Sequence, residues 1–262
     1  MKITLFTSNK HRHNFLINLL SKNCKELYVI QETDTVFQGL NEGRYIKSPT
    51  IKNYFDKVNN AQKTFFANTY INNQNTNLNL FPLQRGDLNK CSIKYLNDFL
   101  KSDLYIVFGC SYIKGDIIKF LVKKKAINIH MGVSPFYRGS DCNFWALYDN
   151  NPHLVGSTIH LISEGLDSGP ILYNAMSKIK TDPFAYSMST VKSAFISLSE
   201  KIKNETIFDI EPITQNKNLE LRYSKKSEFV ENIVDKFSSK KIDLNSKEFD
   251  LSSLIRPFFL EN

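Results

Sequence analysis

The sequence predicts an α/β protein in which a mostly parallel sheet is flanked by helices and followed by a small C-terminal α+β extension. Three observations carry this. The chain opens on a β-rich run, KITLF at 2–6, then an apolar-periodic helical stretch, FLINLLSK, and a second β-rich run, ELYVIQE. The same order recurs as the apolar strand DLYIVFG, the helix DIIKFLVKKK and the strand AINIH, which ends at His130. A length of 262 residues suits one full-sized domain with a modest addition. Repeated strand-helix-strand units join parallel strands through right-handed crossovers, and the product is a Rossmann-like sheet with helices on its faces.

Each element follows from its local pattern. A polar turn, TSNKHRHN, separates the first strand from the first helix. The interval from Thr33 to Pro82 is hard to read, except that Ile51, Tyr54, Phe55, Val58, Phe65 and Phe66 share one face of a long helix. SIKYLNDFLKS, at 92–102, reads as a further helix before the strand DLYIVFG. After His130 the run MGVSPFYRGSD is a Gly, Pro and Ser-rich loop, and CNFWALYDN resumes helical spacing. VGSTIHLIS and ILYNAMSKI form a hairpin-like strand pair around the turn EGLDSGP. FAYSMSTVKSAFISLSEKIKNE is a long amphipathic helix that closes a main domain over 1–207. Residues 208–262 hold a β-like patch, LELRY, a helix, EFVENIVDKF, and an apolar tail, LIRPFFLEN. Without a low-complexity linker, this extension is expected to pack on the domain.

Composition narrows the function classes. A net charge of +8 favours an anionic partner, yet the lysines are scattered in small groups, and no basic block is interleaved with aromatics as nucleic-acid platforms require. No nucleic-acid partner is expected. Cys24, Cys91, Cys110 and Cys142 lie far apart without a CxxC pair and read as reduced thiols. The N-terminus reaches basic residues too early for a signal peptide, and no apolar run approaches the ~20 residues of a membrane span. A cytoplasmic protein with no membrane contact is the expectation.

The chemistry gathers at the end of the strand AINIH. Asn128 and His130 are two positions apart, so on a strand both emerge from one face while Ile129 enters the other. Loops leaving the carboxyl ends of parallel strands splay apart and leave a crevice there. Asp167 stands between Gly165 and Gly169, which permit a tight turn that aims its carboxylate inward. Tyr137, Arg138 and Gly139 offer an aromatic face, a guanidinium and a turn. Any one of these alone is equally consistent with an ordinary cap or turn.

Taken in order, NIHMGVSPFYRG and GLDSGPIL resemble the core signature of the folate-dependent formyltransferase family, most clearly over about 100–176. The resemblance implies that Asn128, His130 and Asp167 are catalytic. An amine attacking a formyl carbon places negative charge on the former carbonyl oxygen, and losing one N–H donor to such an oxygen costs about 10²- to 10³-fold in rate. Asn128 and His130 would supply donors and Asp167 would accept the amine proton, its charge favouring a protonated His130. The implied cofactor is 10-formyltetrahydrofolate. By position its pterin would lie between Gly109, Cys110, Ser111, Tyr112 and Ile113 on one side and Ser163, Glu164, Gly165 and Leu166 on the other. No metal is implied: His130, His160 and Asp167 could be weighed as zinc ligands, but they lack a compact ligand motif.

Departures from the better-known branches point to the acceptor. The glycinamide ribonucleotide branch has a Gly-rich phosphate loop where this chain has TSNKHRHN. The initiator-tRNA branch continues into a β-barrel of roughly 100 residues, and fewer than about 60 follow the closing helix here. The sequence looks most like the branch that formylates nucleotide-linked amino sugars, such as dideoxy-amino-hexoses for lipopolysaccharide or other surface glycans. Tyr137, Arg138, Gly139, His11, Arg12 and His13 are the expected substrate contacts, and a homodimer is left open. Methionyl-tRNA or glycinamide ribonucleotide formylation, hydrolysis of formyltetrahydrofolate and a non-catalytic binding protein are the alternatives.

Overall fold

The structure, a computed structural model, describes residues 1–34, 48–72, 74–242, 244 and 251–260. Its first half is parallel: β1 (Lys2–Ser8), β2 (Glu26–Thr33), β3 (Leu78–Gln84), β4 (Leu104–Val107) and β5 (Ile127–His130) lie in the order β3-β2-β1-β4-β5. They are linked by α1 (His11–Ser21), α2 (Pro49–Phe66) and α3 (Gly115–Lys123). Successive side chains enter opposite faces of the strands. Ile3, Leu5, Leu104 and Ile106 meet Leu16, Ile17 and Leu20 of α1, while Phe6, Tyr105 and Val107 meet Ile117 and Leu121 of α3.

The sheet changes direction next to the site. β7 (Ser157–Leu161) runs antiparallel to β5 and, through the turn over 162–170, to β8 (Ile171–Ser177). Between β5 and β7 come a short strand, β6 (Tyr137–Gly139), and α4 (Cys142–Tyr148). α5 (Pro183–Lys203) packs Val191, Phe195 and Leu198 into the same layer as α1. Its start is set by Asp182, whose side chain accepts from the Ala185 N–H at 2.6 Å, and by Pro183 in the first turn.

Residues beyond 208 pack on the main body along their described length, with three elements of their own. β9 (Arg222–Ser224) pairs with β6 in a second, two-stranded sheet, and α6 (Glu231–Ser239) puts Val234 and Phe237 into a cluster with Phe144 and Trp145 of α4. β10 (Phe258–Leu260) pairs with β8 and makes the eighth strand of the main sheet. Among the described residues no helix is long and apolar enough to cross a membrane.

Several local expectations are corrected. Residues 92–102 hold only a 3₁₀ turn at Asn97–Leu100. The Phe99 carbonyl accepts from Thr4 Oγ1 and the Leu100 carbonyl from the Tyr105 hydroxyl, so this segment ends on tertiary bonds to β1 and β4. The polar turn over 7–14 is shorter than expected, since β1 continues to Ser8 and the helix begins at His11. β3 lies partly in the interval that resists reading. It is an edge strand, which tolerates Pro82 and carries a polar, irregular pattern. The apolar tail contributes a strand, β10.

Candidate active site

Asn128 and His130 emerge from one face at the end of β5, and the antiparallel register sets His160 of β7 opposite Asn128. Asp167 reaches the same point from the turn between β7 and β8. That turn is held by close approach: a Cβ on Gly169 would lie 1.7 Å from the Leu161 carbonyl oxygen, so only glycine fits. Asp167 itself has φ +48°. Gln215 Nε2 donates to the carbonyls of Asp167 and Gly169 at 2.9 and 2.7 Å and pins this left-handed conformation.

Four side chains meet within hydrogen-bonding reach. His130 Nδ1 is 3.3 Å from Asp167 Oδ1, and its Nε2 is 3.2 Å from the Tyr137 carbonyl. Asn128 Nδ2 is 3.0 Å from His160 Nε2 and donates to Asp167 Oδ1 at 3.3 Å. His160 Nδ1 lies 2.8 Å from the Leu161 carbonyl, so it donates there and leaves Nε2 to accept from Asn128. The Gly139 N–H completes the set, donating to Asp167 Oδ2 at 3.3 Å.

The electrostatics differ from the expectation for His130. Burial lowers its pKa below the ordinary histidine value and outweighs the opposing pull of Asp167, so the resting imidazole is neutral. For Asp167, burial works upward, but His130, His160 and the Gly139 N–H outweigh it and hold the carboxyl down to about 2. The resting pair is therefore a carboxylate beside a neutral imidazole with acceptors at both ring nitrogens.

Two cavities meet at this cluster. The larger, about 530 Å³, is walled by Gly109, Cys110, Ser111, Tyr112 and Ile113 on one side and by Ser163, Gly165, Leu166 and Asp167 on the other. Glu164 is outside its lining, and its carbonyl accepts from the Tyr112 hydroxyl at 3.0 Å, joining the two loops. The smaller, about 210 Å³, is lined by rings of Tyr54, Phe55, Phe144, Phe184 and Phe237. His130, Met131 and Gly139 belong to the walls of both.

The expected substrate contacts separate into different roles. The Tyr137 ring is buried, with its hydroxyl bound to Asn151 Nδ2 at 2.7 Å and to Asp149 at 3.3 Å, so the cluster meets its carbonyl and not its aromatic face. Arg138 ties Glu220 (2.7 Å) to the Leu166 carbonyl (2.9 Å), clamping the Asp167 turn to the stretch before β9. Gly139, at φ +95°, passes so close to Ser224 that a Cβ would lie 2.1 Å from that carbonyl oxygen.

Of the three basic residues after β1, only Arg12 lines a cavity, and it also donates to Gln62 Oε1 at 2.9 Å. His11 turns to the Thr69 carbonyl and Tyr70. His13 is buried against Phe108 and Gly109, where burial holds it uncharged. Neither His11 nor His13 lines the two cavities, which departs from the expectation of substrate contacts there.

Two further residues build the site: His160, weighed from the sequence only as a metal ligand, and Glu32, which the sequence did not single out. His160 joins through the pairing of β5 with β7, which the sequence alone does not specify. Glu32, fully buried at the end of β2, accepts from Gly86 N–H at 2.8 Å and from the Ser111 hydroxyl and N–H at 2.7 and 2.5 Å, fixing the 109–113 loop. A charged residue closing an otherwise apolar strand was its only signal.

Comparison with known proteins agrees with this architecture. Residues 55–206 match the family model described as Formyl transferase, and the chain belongs to that family. Methionyl-tRNA formyltransferase of Trichodesmium erythraeum (strain IMS101) is 26% identical over 161 residues, covering 61% of this chain and 45% of that protein. The Thermotoga neapolitana methionyl-tRNA formyltransferase is 29% identical over 177 residues, 59% of this chain and 55% of its own. The chain spans about half the length of these relatives.

Among solved structures, a sugar N-formyltransferase from Shewanella sp FDAARGOS_354 superposes with a TM-score of 0.52 at 16% identity, over 87% of this chain and 78% of that one. A phosphoribosylglycinamide formyltransferase from Anaplasma phagocytophilum gives 0.51 at 18%, over 79% and 87%. At these identities the likeness is one of fold.

Proposed function

We propose that this chain is an N-formyltransferase that moves the formyl group of 10-formyltetrahydrofolate to the amine of a nucleotide-linked amino sugar, a dideoxy-amino-hexose for lipopolysaccharide or another surface glycan. The observation that carries this reading is His130 in the walls of both cavities, so that a donor in the larger and an amine in the smaller meet at one imidazole. The larger cavity suits a folate: two loops face each other across it, and Val107, Ile118 and Ile162 offer apolar contact to a planar ring.

Bound there, the folate supplies an activated formyl carbon, whose oxygen becomes negative as an amine attacks. Asn128 and His130 are the N–H donors within reach of that oxygen. Both Asn128 amide hydrogens face protein acceptors, and the 3.3 Å contact to Asp167 is the longer, so it is the one released to the reacting group. A neutral imidazole donates through one nitrogen only, whereas a second proton would let Nδ1 donate to Asp167 while Nε2 gives up its 3.2 Å contact to the Tyr137 carbonyl and donates to the oxyanion. The proton lost by the amine would therefore have a receiving site in the His130–Asp167 pair, directly or through a water, and would pass from there to N10 as the formyl carbon–N10 bond breaks and tetrahydrofolate leaves.

The aromatic lining of the smaller cavity supports an acceptor with few hydroxyls, and the turn after β1, Asn9-Lys10-His11, has no glycine for a phosphate loop of the ribonucleotide type. Methionyl-tRNA is the second reading, favoured by the sequence relatives. Mass spectrometry of a panel of nucleotide-linked amino sugars and of methionyl-tRNA, each incubated with enzyme and formyl donor, should find one added formyl group on a sugar. Formylation of the tRNA alone would overturn the sugar reading. Rapid formate release without any amine would make the protein a hydrolase.

A further inference from the structure

Three cations line the two cavities, Arg12 the smaller and Arg85 and Lys226 the larger, and a fourth, Lys10, is close enough to feel the charge of all three. Lys10 and Arg12 sit at the start of α1, Arg85 follows β3, and Lys226 follows β9. Backbone bonds bring these segments together. Arg85 N–H donates to the Thr33 carbonyl at 3.1 Å and Asn9 Nδ2 to the Asp34 carbonyl at 2.8 Å, so both segments close on the end of β2. Ser140 N–H donates to the Ser224 carbonyl at 3.0 Å, which sets the start of the Lys226 segment beside Gly139. Arg85 and Lys226 then form part of the wall of the larger cavity, with Ser140 between the cluster and the rim, while Arg12 lines the smaller one.

Among the described residues none of the four makes an ion pair within 4.0 Å. The nearby carboxylates are Asp34 toward Lys10, Asp141 toward Arg12, and Glu32, whose oxygens are taken by Gly86 and Ser111. The Lys10 ammonium is pulled down to about 8, first by burial and then by Arg12, with Arg85 and Lys226 adding to the repulsion and Asp34 opposing it. Arg12 Nε is buried without a hydrogen-bond partner. Lys10 caps α1 with no side-chain bond, so the first-turn amides add their positive end to the same region. Asp34 and Asp141 offset this positive charge only in part, so the cations still repel one another, and an anion binding among them reduces that repulsion.

We propose that Lys10, Arg12, Arg85 and Lys226 form the site that binds the diphosphate of the acceptor, with Lys226 supplied by the C-terminal extension. The proposal rests on the nucleotide-linked reading of the acceptor, and it gives residues 208–262 a part in substrate binding. Phosphate oxygens would take charge-assisted hydrogen bonds from Arg85 and Arg12 and point-charge contacts from the two lysines, leaving the amine-bearing ring free to enter the aromatic cavity.

Isothermal titration of the full chain with inorganic pyrophosphate at low salt tests this directly. One site is expected, with affinity falling steeply as salt rises, and the exposed pair Arg85→Gln and Lys226→Gln together should weaken it at least about tenfold while circular dichroism stays unchanged. Prior saturation with tetrahydrofolate should leave pyrophosphate binding intact. Wild-type affinity in the double variant would overturn the proposal. Competition by tetrahydrofolate would overturn it too, assigning the cations to the donor's glutamyl carboxylates. The acceptor reading fails separately: if pyrophosphate binds as expected yet no nucleotide-linked amino sugar is formylated, the anion site stands without that acceptor. If such a sugar is formylated with the same KM by the double variant, the acceptor stands and this site falls.

Discussion

The two cavities that share His130 are built in opposite ways. The larger is made chiefly from loops at strand ends, 109–113 and 163–167, steadied by the buried Glu32 and by the turn at Gly169. The smaller is made from side chains of four separate helices: Tyr54 and Phe55 from α2, Phe144 from α4, Phe184 from α5 and Phe237 from α6. A wall of short loops is constrained by backbone geometry, so its residue pattern is local and readable. A wall of side chains from distant helices can be repacked by substitutions scattered over the whole chain. In the proposed enzyme the first wall belongs to the shared donor and the second to the variable acceptor.

This contrast can be broken most severely at the point both cavities share. His130→Ala should lower kcat/KM about 10³-fold with little change in thermal midpoint, since it removes both an N–H donor and the proton site. Steady-state kinetics with either substrate varied would check it, and near-normal turnover would end the assignment of His130. Next in size, Phe184→Ala should raise the acceptor KM about tenfold, a loss of about 1.4 kcal/mol, and leave the donor KM unchanged. Equal effects on both constants would mean that the cavities are not separate in function. Smallest, Tyr112→Phe removes the bond to the Glu164 carbonyl that links the two donor loops and should raise the donor KM roughly threefold, within the ~0.5–1.5 kcal/mol of a typical hydrogen bond.

Acidity sharpens the same comparison. His130 has a depressed pKa, so its neutral form persists below pH 6.5, and the acid limb of kcat/KM should fall below that value, as a pH-rate profile would register. Asp167 contributes stability that is fully present above its ordinary value of 3.8 and is lost as pH falls through about 2. Asp167→Asn should therefore flatten the pH dependence of the urea midpoint between those limits. An unchanged dependence would place the acid sensitivity elsewhere.

Legibility in the sequence tracks the same division. Asn128, His130 and Asp167 could be singled out because strand alternation and flanking glycines leave a short-range signature. The loops 109–113 and 163–167 were reached only through the family resemblance, which implied a cofactor between them. His160 was weighed only as a metal ligand, because its place as partner of Asn128 depends on which strand pairs with β5, a long-range choice that local pattern does not encode. The aromatic cavity was missed because Tyr54, Phe144 and Phe237 look like ordinary core residues on their own helices. Residues 92–102 misled for a related reason: Leu96 and Leu100 have helical spacing and are buried, but the segment is anchored by Thr4 and Tyr105, which are distant in local pattern.

Gln215 holds the carbonyls of Asp167 and Gly169, and Glu220 holds Arg138, which in turn holds Leu166. The Asp167 turn of the main domain is thus clasped from a segment that a boundary at 207 would assign elsewhere. A nick or a segment exchange at that boundary would loosen the carboxylate as well as alter acceptor choice, so the two parts inherit, tolerate damage and diversify as a single unit.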